Sequence, residues 1–384
     1  MTAEWKIDVM ERREALIVLN MLGGIGPVRK QLLEEEFGKV ENALTAGRVR
    51  LERIPGIGAK WAEVISQWES RCDLAAELKR VARAGAEILT EDDDDYPPLL
   101  REIHDPPICL YIYGSRKALK ESRGAIAVVG SRHTTAYGVR MADALSSAAG
   151  YAGWPVVSGL ARGIDTVAHE ATLRAKGVTV AVVGSGLASL YPQENIGLAK
   201  RIAENGGAVI TEFPMLFPPD RRAFPMRNRI ISGMSQGTVV VEAGLQSGSL
   251  ITANCALEQD RLVFAVPGPA DVPQSRGCHA LIKDGAKLVE SFADIAEEFV
   301  LLPGLGRKAK VEKTDEKNAK SRPVELQLHG LELKLWALLN DGERYIDDMI
   351  AEMDEDASSV LASLLSLEMK HLVKQLPGKR VVRV

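Results

Sequence analysis

The sequence predicts an α/β protein: a Rossmann-like, doubly wound parallel sheet, flanked by an N-terminal helical domain of helix-hairpin-helix or SAM-like type and a C-terminal winged helix. Three observations carry this. Six short β-branched runs recur through the middle of the chain, each followed by a helix-compatible stretch. They are apolar at successive positions, as strands buried on both faces must be. Aromatic residues make up only 5% while glycine reaches 34, the balance of a chain with many tight strand-to-helix turns. The length, 384 residues at roughly 150 per domain, leaves room for two to three domains.

Composition narrows the function classes. With 46% apolar and 26% charged residues, wholesale disorder and a fibrous repeat are both excluded. No apolar run approaches the roughly 18 residues that span a bilayer. Met1 to Arg13 alternates charge with single apolar residues and has no hydrophobic signal region. Cys72, Cys109, Cys255 and Cys278 are scattered without ligand spacing, so they read as reduced thiols of a cytoplasmic protein, with no metal and no cofactor expected. The net charge of −4 gives no general basic coat, but nucleic-acid binding depends on clustering rather than on the sum.

Taken in order, residues 1–85 are helical in pattern and internally duplicated. Leu19-x-x-Leu22-Gly23-Gly24-Ile25-Gly26 returns as Leu51-x-x-Ile54-Pro55-Gly56-Ile57-Gly58, each reading helix, turn, helix. Residues 86–302 form the core domain, entered through Asp92 to Pro107, where four aspartates, Tyr96-Pro97-Pro98 and Asp105-Pro106-Pro107 preclude regular helix or central strand. The predicted strands are Ile126–Gly130, Pro155–Gly159, Val178–Gly184, Ala208–Glu212, Thr238–Glu242 and Leu262–Pro267. Residues 303–322 are charged and nearly free of apolar side chains, the composition of a flexible linker. In residues 323–384, helices over Leu331–Asn340, Tyr345–Met353 and Ala357–Lys370 precede a hairpin, Val373–Val384, turning at Pro377-Gly378: the outline of a winged helix.

Ligands of a parallel α/β sheet sit outside the carboxyl ends of its strands. There the sequence puts Gly130-Ser131-Arg132, the stretch Ser158-Gly159-Leu160-Ala161-Arg162-Gly163-Ile164-Asp165, Gly184-Ser185-Gly186, and Ser247-Gly248-Ser249 at the start of a helix. Small residues here either make tight turns or let backbone amides and helix N-termini approach phosphate oxygens. Arginines favour the second reading: Arg132 and Arg162 occupy two of these turns, and Arg221, Arg222, Arg227 and Arg229 come after the fourth strand in a stretch, Arg221 to Val241, that holds no acidic residue. Several phosphates in a row match such a series better than one. Phe213, Phe217 and Phe224 interleave with it, either as stacking faces for bases or as core plugs.

No catalytic set is apparent. Asp165, His169, Glu212, Glu242 and His279 are the titratable candidates, but no serine sits in a Gly-x-Ser-x-Gly elbow and no carboxylates have metal-ligand spacing. Asp165 is expected to cap the helix running to Lys176. Gly184-x-Gly186-x-x-Ser189 half-matches a dinucleotide fingerprint but lacks its third glycine.

These motifs resemble the DNA-processing protein A (DprA/Smf) family. The resemblance lies in Tyr96-Pro97 with Asp105-Pro106-Pro107, Val129-Gly130-Ser131-Arg132, Ser158 through Asp165 with Ala168-His169, and Tyr191-Pro192-x-x-Asn195. It continues through Phe224-Pro225-x-Arg227-Asn228-Arg229-Ile230-Ile231-Ser232-Gly233, Ser247 through Ala253, and Val266-Pro267-Gly268, and so covers roughly residues 96–290. It implies a non-enzymatic protein that binds single-stranded DNA, forms a homodimer, and loads RecA recombinase during natural transformation. Carried over by position, Arg132 becomes the main phosphate anchor, with Ser131, Arg221, Arg227 and Asn228 along the path, and the connection through His279 and Leu288, with Leu281 nearby, the dimer contact. Gln193 departs from relatives that place a lysine after Tyr-Pro; an amide donates a hydrogen bond but releases no counterion. The alternative is an enzyme resembling the lysine-decarboxylase-like nucleoside monophosphate hydrolases, whose Pro-Gly-Gly-x-Gly-Thr-x-x-Glu motif is echoed only by Gly237-Thr238 and Glu242, the glutamate one residue too far.

The flanking regions carry their own expectations. The Gly-hydrophobic-Gly turns resemble helix-hairpin-helix modules that hold a DNA phosphate, with Arg29, Lys30 and Lys60 near them and Glu34-Glu35-Glu36 opposing. In the winged helix, Asp347, Asp348, Glu352, Asp354, Glu355 and Asp356 make the second helix region acidic, and the third has no arginine before Lys370. Protein contacts, or a weak contact through Lys374, Lys379, Arg380 and Arg383, are therefore expected of it rather than specific duplex reading.

Overall fold

In the computed structural model the described residues are 10–301, 331–339, 344–353, 360, 363–364, 367, 372–376 and 380–383. They fall in two compact units, Met1–Ala309 and Lys310–Val384.

The first unit is built on a nine-stranded sheet: β1 (Glu87–Thr90), β2 (Cys109–Gly114), β3 (Ile126–Val129), β4 (Val156–Ser158), β5 (Thr179–Val182), β6 (Ala208–Thr211), β7 (Gly237–Val240), β8 (Leu262–Ala265) and β9 (Lys287–Leu288). All six runs picked out by β-branching form strands. The order is β1-β2-β6-β5-β4-β3-β7-β8-β9, parallel throughout except that β2 runs antiparallel to both β1 and β6. β3 through β7 are buried along their whole length. Alternate residues of β3 serve two cores. Ile126 and Val128 pack with Ala142, Leu145 and Ala149 of the helix Ala136–Tyr151 on one face. Ala127 and Val129 pack with Ile230, Met234 and Ala253 on the other. Covering both faces with helices explains the lack of polar alternation in the strands.

Three strands of the sheet were not read from the sequence, β1, β2 and the short edge strand β9. The side chains of β2 divide between two cores: Leu110 and Ile112 join the central one, Cys109 and Tyr111 the one filled by the N-terminal helices. Ala15 to Leu19, Leu33, Leu51 and Ile65 share that second core with Ile88, Ile108 and Met215, so helices and sheet edge are packed together. Glu77, buried in the helix Leu74–Arg83, accepts from the Met215 amide at 2.7 Å. The Tyr-Pro-Pro stretch is held by its buried tyrosine, whose hydroxyl donates to Pro107 O at 2.8 Å. It does contain one short helical turn, Pro98–Arg101, with proline at the first position, where a missing N–H costs nothing.

The two N-terminal glycine turns lie between helices Arg12–Met21 and Pro27–Phe37, and Arg48–Glu52 and Gly58–Ser66. They pack reciprocally. Gly24, at φ +79, lies against Trp61 of the second hairpin, and Gly56, at φ +91, against Leu32 of the first, leaving no room for a Cβ at either. Arg29 is drawn inward, donating to Gly24 O at 2.7 Å with its guanidinium over Trp61. Lys30 is buried and ion-paired with Glu34 and Glu91. Of the three cations placed near these turns, Lys60 alone is exposed.

The second unit is a winged helix. It comprises the helix Leu331–Leu338, β10 (Arg344–Tyr345), the helix Ile346–Glu352, β11 (Val373–Leu376) and β12 (Arg380–Arg383), in the antiparallel order β10-β12-β11. Leu335, Ile346, Met349, Val360, Leu364, Leu367, Val373 and Val381 share its core. The turn at Pro377-Gly378, most of the expected third helix and the linker 303–322 lie outside the described residues. Among the described residues no helix is long and apolar enough to cross a membrane.

Candidate nucleic-acid interface

β3 is the point where the winding reverses: β4, β5 and β6 lie to one side of it, β7 and β8 to the other. Here the loops leaving neighbouring strands diverge and open a crevice. It holds a cavity of about 790 Å³. Its walls come from the turn after β3 (Gly130 to His133), the turn after β4 (Ala161, Asp165), and the loop after β7 that enters the helix Gly248–Glu258 (Ser247, Gly248, Ser249). The connection from β6 must cross back over β3 to reach β7, and so carries Arg221, Phe224, Arg227 and Asn228 over the opening.

Close packing at the strand ends shapes the floor. A Cβ at Gly130 would fall 2.6 Å from Ile164 Cγ1 and 3.0 Å from Glu242 O, so the first turn is pressed onto its neighbours. Ser131 closes that turn, its hydroxyl donating to His133 O at 2.8 Å. Ser247 caps its helix, with its Oγ 2.7 Å from Ser249 Oγ and the Ser249 amide at 3.4 Å. Asn228 donates to Gly248 O at 3.3 Å and ties the crossing helix, Ala223–Gly233, to the same place.

Nine predicted residues therefore converge on one cavity: Gly130, Ser131, Arg132, Arg221, Arg227, Asn228, Ser247, Gly248 and Ser249. Gly159 and Arg162 line a smaller cavity of about 40 Å³ beside it, bounded by Tyr191, Pro192 and Phe224 and sharing Arg132 and Arg227 with the larger one.

The remaining predicted residues are placed elsewhere, for identifiable reasons. Ser158 is fully buried and its hydroxyl donates to Val128 O at 2.6 Å, joining two strands. Asn195 is buried and its amide donates to Leu160 O at 2.9 Å and to the Thr166 hydroxyl at 2.8 Å, holding the turn after β4. Arg162 is ion-paired with Glu194, and Gln193, exposed at the start of a 3₁₀ turn, lies outside both cavities. Arg229 points away from the cavity into a pocket of carboxylates, 2.6 Å from Glu212 and 2.9 Å from Asp105. The stretch around Arg229 lacks acidic sequence neighbours, but the fold supplies tertiary ones. Leu281 belongs to the central core, whereas Leu288, on the edge strand β9, is 42% exposed. His279 lies within 2.9 Å of Gly268 O and steadies the Pro267-Gly268 turn.

Asp165 does not cap its helix. That position falls to Gly163, and the buried carboxylate turns back to accept from the Gly159 and Ala161 amides at 3.1 and 3.3 Å. Burial raises its carboxyl, against the pull of Arg227 and of those amides. Arg227 fills the space that a side chain on Gly159 would need and donates to Val182 O at 2.9 Å. Burial lowers it to about 10; Asp165 opposes the shift and Arg132 adds to it. By contrast, Arg132 and Arg221 are exposed and have no carboxylate partner among the described residues. Glu242, just after β7, accepts from the Thr135 amide at 3.0 Å and hydroxyl at 2.7 Å and so anchors the helix after β3.

The chain has relatives among known proteins. The family model for DNA recombination-mediator protein A matches residues 87–300, and that for the DprA winged helix domain matches residues 319–379. Protein Smf of Synechocystis is 36% identical over 384 residues, covering 94% of this chain and 96% of that protein. DNA processing protein DprA of Bacillus subtilis is 45% identical over 203 residues, 53% of this chain and 68% of that one. Among solved structures, DNA processing protein A from Streptococcus pneumoniae superposes with a TM-score of 0.65 at 34% identity, covering 76% of this chain and 99% of that chain. The Helicobacter pylori protein, solved to describe its single-stranded DNA binding mode, gives a TM-score of 0.51 at 26% identity, over 56% of this chain and 96% of that one.

Proposed function

This chain belongs to the DprA/Smf family of DNA-processing proteins, and from that premise we propose that the cavity over the end of β3 holds the backbone of single-stranded DNA. One observation carries the reading. Arg132 and Arg221 stand exposed, without carboxylate partners among the described residues, at a cavity into which two eleven-residue helices, Ala223–Gly233 and Gly248–Glu258, direct their N-termini. Partial positive charge at helix ends and unneutralised guanidiniums suit successive phosphates. The Helicobacter pylori relative is described for the same class of ligand.

The protein then acts by binding rather than by catalysis. Glu242, the group on which a nucleoside monophosphate hydrolase would depend, has both oxygens engaged by Thr135. In this role it protects incoming single strands and presents them to RecA recombinase during transformation, as a cytoplasmic homodimer joined near β9, where Leu288 is exposed. The test is binding of single- and double-stranded oligonucleotides across a salt series, with molecular mass recorded alongside. Single strands should be preferred with little sequence choice, and log affinity should fall with log salt by about 0.7 per phosphate contacted. Equal affinity for duplex and single strand would overturn the assignment.

A further inference from the structure

A cavity of about 790 Å³ has the size of a small-molecule pocket, so a single strand of any length must run on out of it. One way out follows the connection from β6. Traced back from Arg221 in the cavity wall, this connection passes exposed Asp220, Pro219 and Pro218 to Leu216, 56% exposed, and then to buried Met215. Six residues span at most about 22 Å, so Met215 lies no farther than that from the wall. There the Met215 amide is held by Glu77, the only acidic residue of the helix Leu74–Arg83, whose other oxygen pairs with Arg80 at 3.1 Å. Arg83 follows Lys79 by four residues and Arg80 by three, which puts the three cations on one side of the helix. Lys79 and Arg83 are exposed and have no carboxylate partner among the described residues. The acid just before the helix, Asp73, is occupied in capping it, accepting from the Ala76 amide at 2.9 Å.

We propose that the helix Leu74–Arg83 is a second hold on the DNA: a single strand leaving the cavity past Arg221 lays its backbone along Lys79, Arg80 and Arg83. The inference rests on the single-strand reading above and adds the N-terminal helical region to the footprint. Charge and continuity carry it. The outer side of this helix is cationic with no exposed carboxylate, and Glu77 fixes it to the same connection that carries Arg221 and Arg222 to the cavity. The glycine turns of the helical region have Arg29 and Lys30 turned inward, whereas this helix keeps its lysine and Arg83 outside. Leu78, 38% exposed, and Leu216 offer apolar surface beside the cations. Each cation that meets a phosphate of a single strand releases about 0.7 of a counterion, worth about fivefold in affinity near 0.1 M salt. Contacts of this kind take hold of any sequence alike.

The full-length protein is titrated across a salt series with oligo(dT) of about 5 and about 16 nucleotides, near the two ends of the range for a single-strand groove. A Lys79→Gln, Arg83→Gln double variant is titrated in parallel. It should bind the longer oligomer about tenfold or more weakly near 0.1 M salt, with a log–log salt slope shallower by about 1.4, two phosphates at 0.7 each. Its affinity for the shorter oligomer should match that of the native protein. A second double variant, Arg123→Gln with Lys176→Gln, removes the same charge from exposed positions where the chain enters the amino ends of β3 and β5, and should leave both oligomers unaffected. The proposal is overturned if the first variant keeps native affinity for the longer oligomer, if it loses the shorter one equally, or if the second variant costs as much. When the native protein binds the short oligomer and the first variant leaves the long one untouched, this surface fails alone; when the native protein binds neither oligomer even at low salt, the single-strand reading fails and this surface with it.

Discussion

Three arginines near one cavity have three different fates, decided by what the fold places around each. Arg132 meets solvent and a ring, Arg227 is buried beside Asp165, and Arg229 is clamped between Glu212 and Asp105. Arg132→Ala should therefore weaken single-strand binding by about 1.5–3 kcal/mol while the thermal midpoint stays nearly unchanged. Arg229→Ala should do the reverse: Glu212, left buried without its cation, should lower stability by about 3–5 kcal/mol. Swapped outcomes in melting and binding assays would reverse the two roles. His169 adds a pH dependence. It is fully buried with Nδ1 2.7 Å from the Thr179 hydroxyl, whose own hydrogen goes to Val156 O at 2.8 Å, so Nδ1 carries the proton. Burial, with Arg227 nearby, pushes this imidazole down to about 3. Because the unfolded chain takes up a proton near pH 6.5 and the folded one does not, the resulting stability is present above that value and is lost as pH falls toward 3. At pH 5 the loss should be roughly 2 kcal/mol, measured as the extra acid sensitivity of the native protein over a His169→Gln variant. The nine converging residues were legible because Gly, Ser and Arg after a strand have a local reason to be there. The burial of Ser158, Asn195 and Arg229 was not, since their partners Val128, Leu160 and Glu212 are distant in sequence or on other elements.

At the scale of elements, a strand's legibility depends on its neighbours. β3 through β8 were readable because a run apolar at every position has few homes other than the middle of a parallel sheet. β2 is equally apolar, yet its two faces serve different cores, and nothing in Cys109–Gly114 itself says that it runs antiparallel. The glycine turns were visible as a repeat, but Arg29 and Lys30 were turned inward by Trp61 and Glu91, which periodicity does not reveal. β9 is the element on which the dimer proposal depends. His279 is engaged with Gly268, so Leu288→Glu is the cleaner probe. It should convert the dimer to monomer by light scattering with the thermal midpoint little changed, and a dimer that persists would move the interface elsewhere.

Across the whole molecule, charge is arranged locally rather than in sum. A net charge of −4 coexists with a cavity whose one lining carboxylate, Asp165, is buried under a guanidinium. In the winged helix, the helix Ile346–Glu352 carries no basic residue, and its Glu352 is ion-paired with Arg344 of β10 at 2.7 Å. Removing everything after Leu302 should change single-strand affinity by less than about tenfold, roughly 1.4 kcal/mol; a far larger loss by fluorescence anisotropy would make that unit a principal DNA contact. The two ends of the nine-stranded sheet are also treated differently. On the outer side of β1, Arg13 donates to Ile88 O, and Asp93, itself paired with Arg13 at 2.9 Å, accepts from the Thr90 amide at 2.7 Å. Side chains there occupy the groups a further strand would use. At the other end Leu288 of β9 is 42% exposed, with no side-chain hydrogen bond to its backbone among the described residues. A ribbon that can be lengthened at one end only is used up by a single two-fold joining. If two copies join at β9, as proposed above, growth through the sheet terminates at two, and copies gathered on a long strand would not polymerise through their own β-structure.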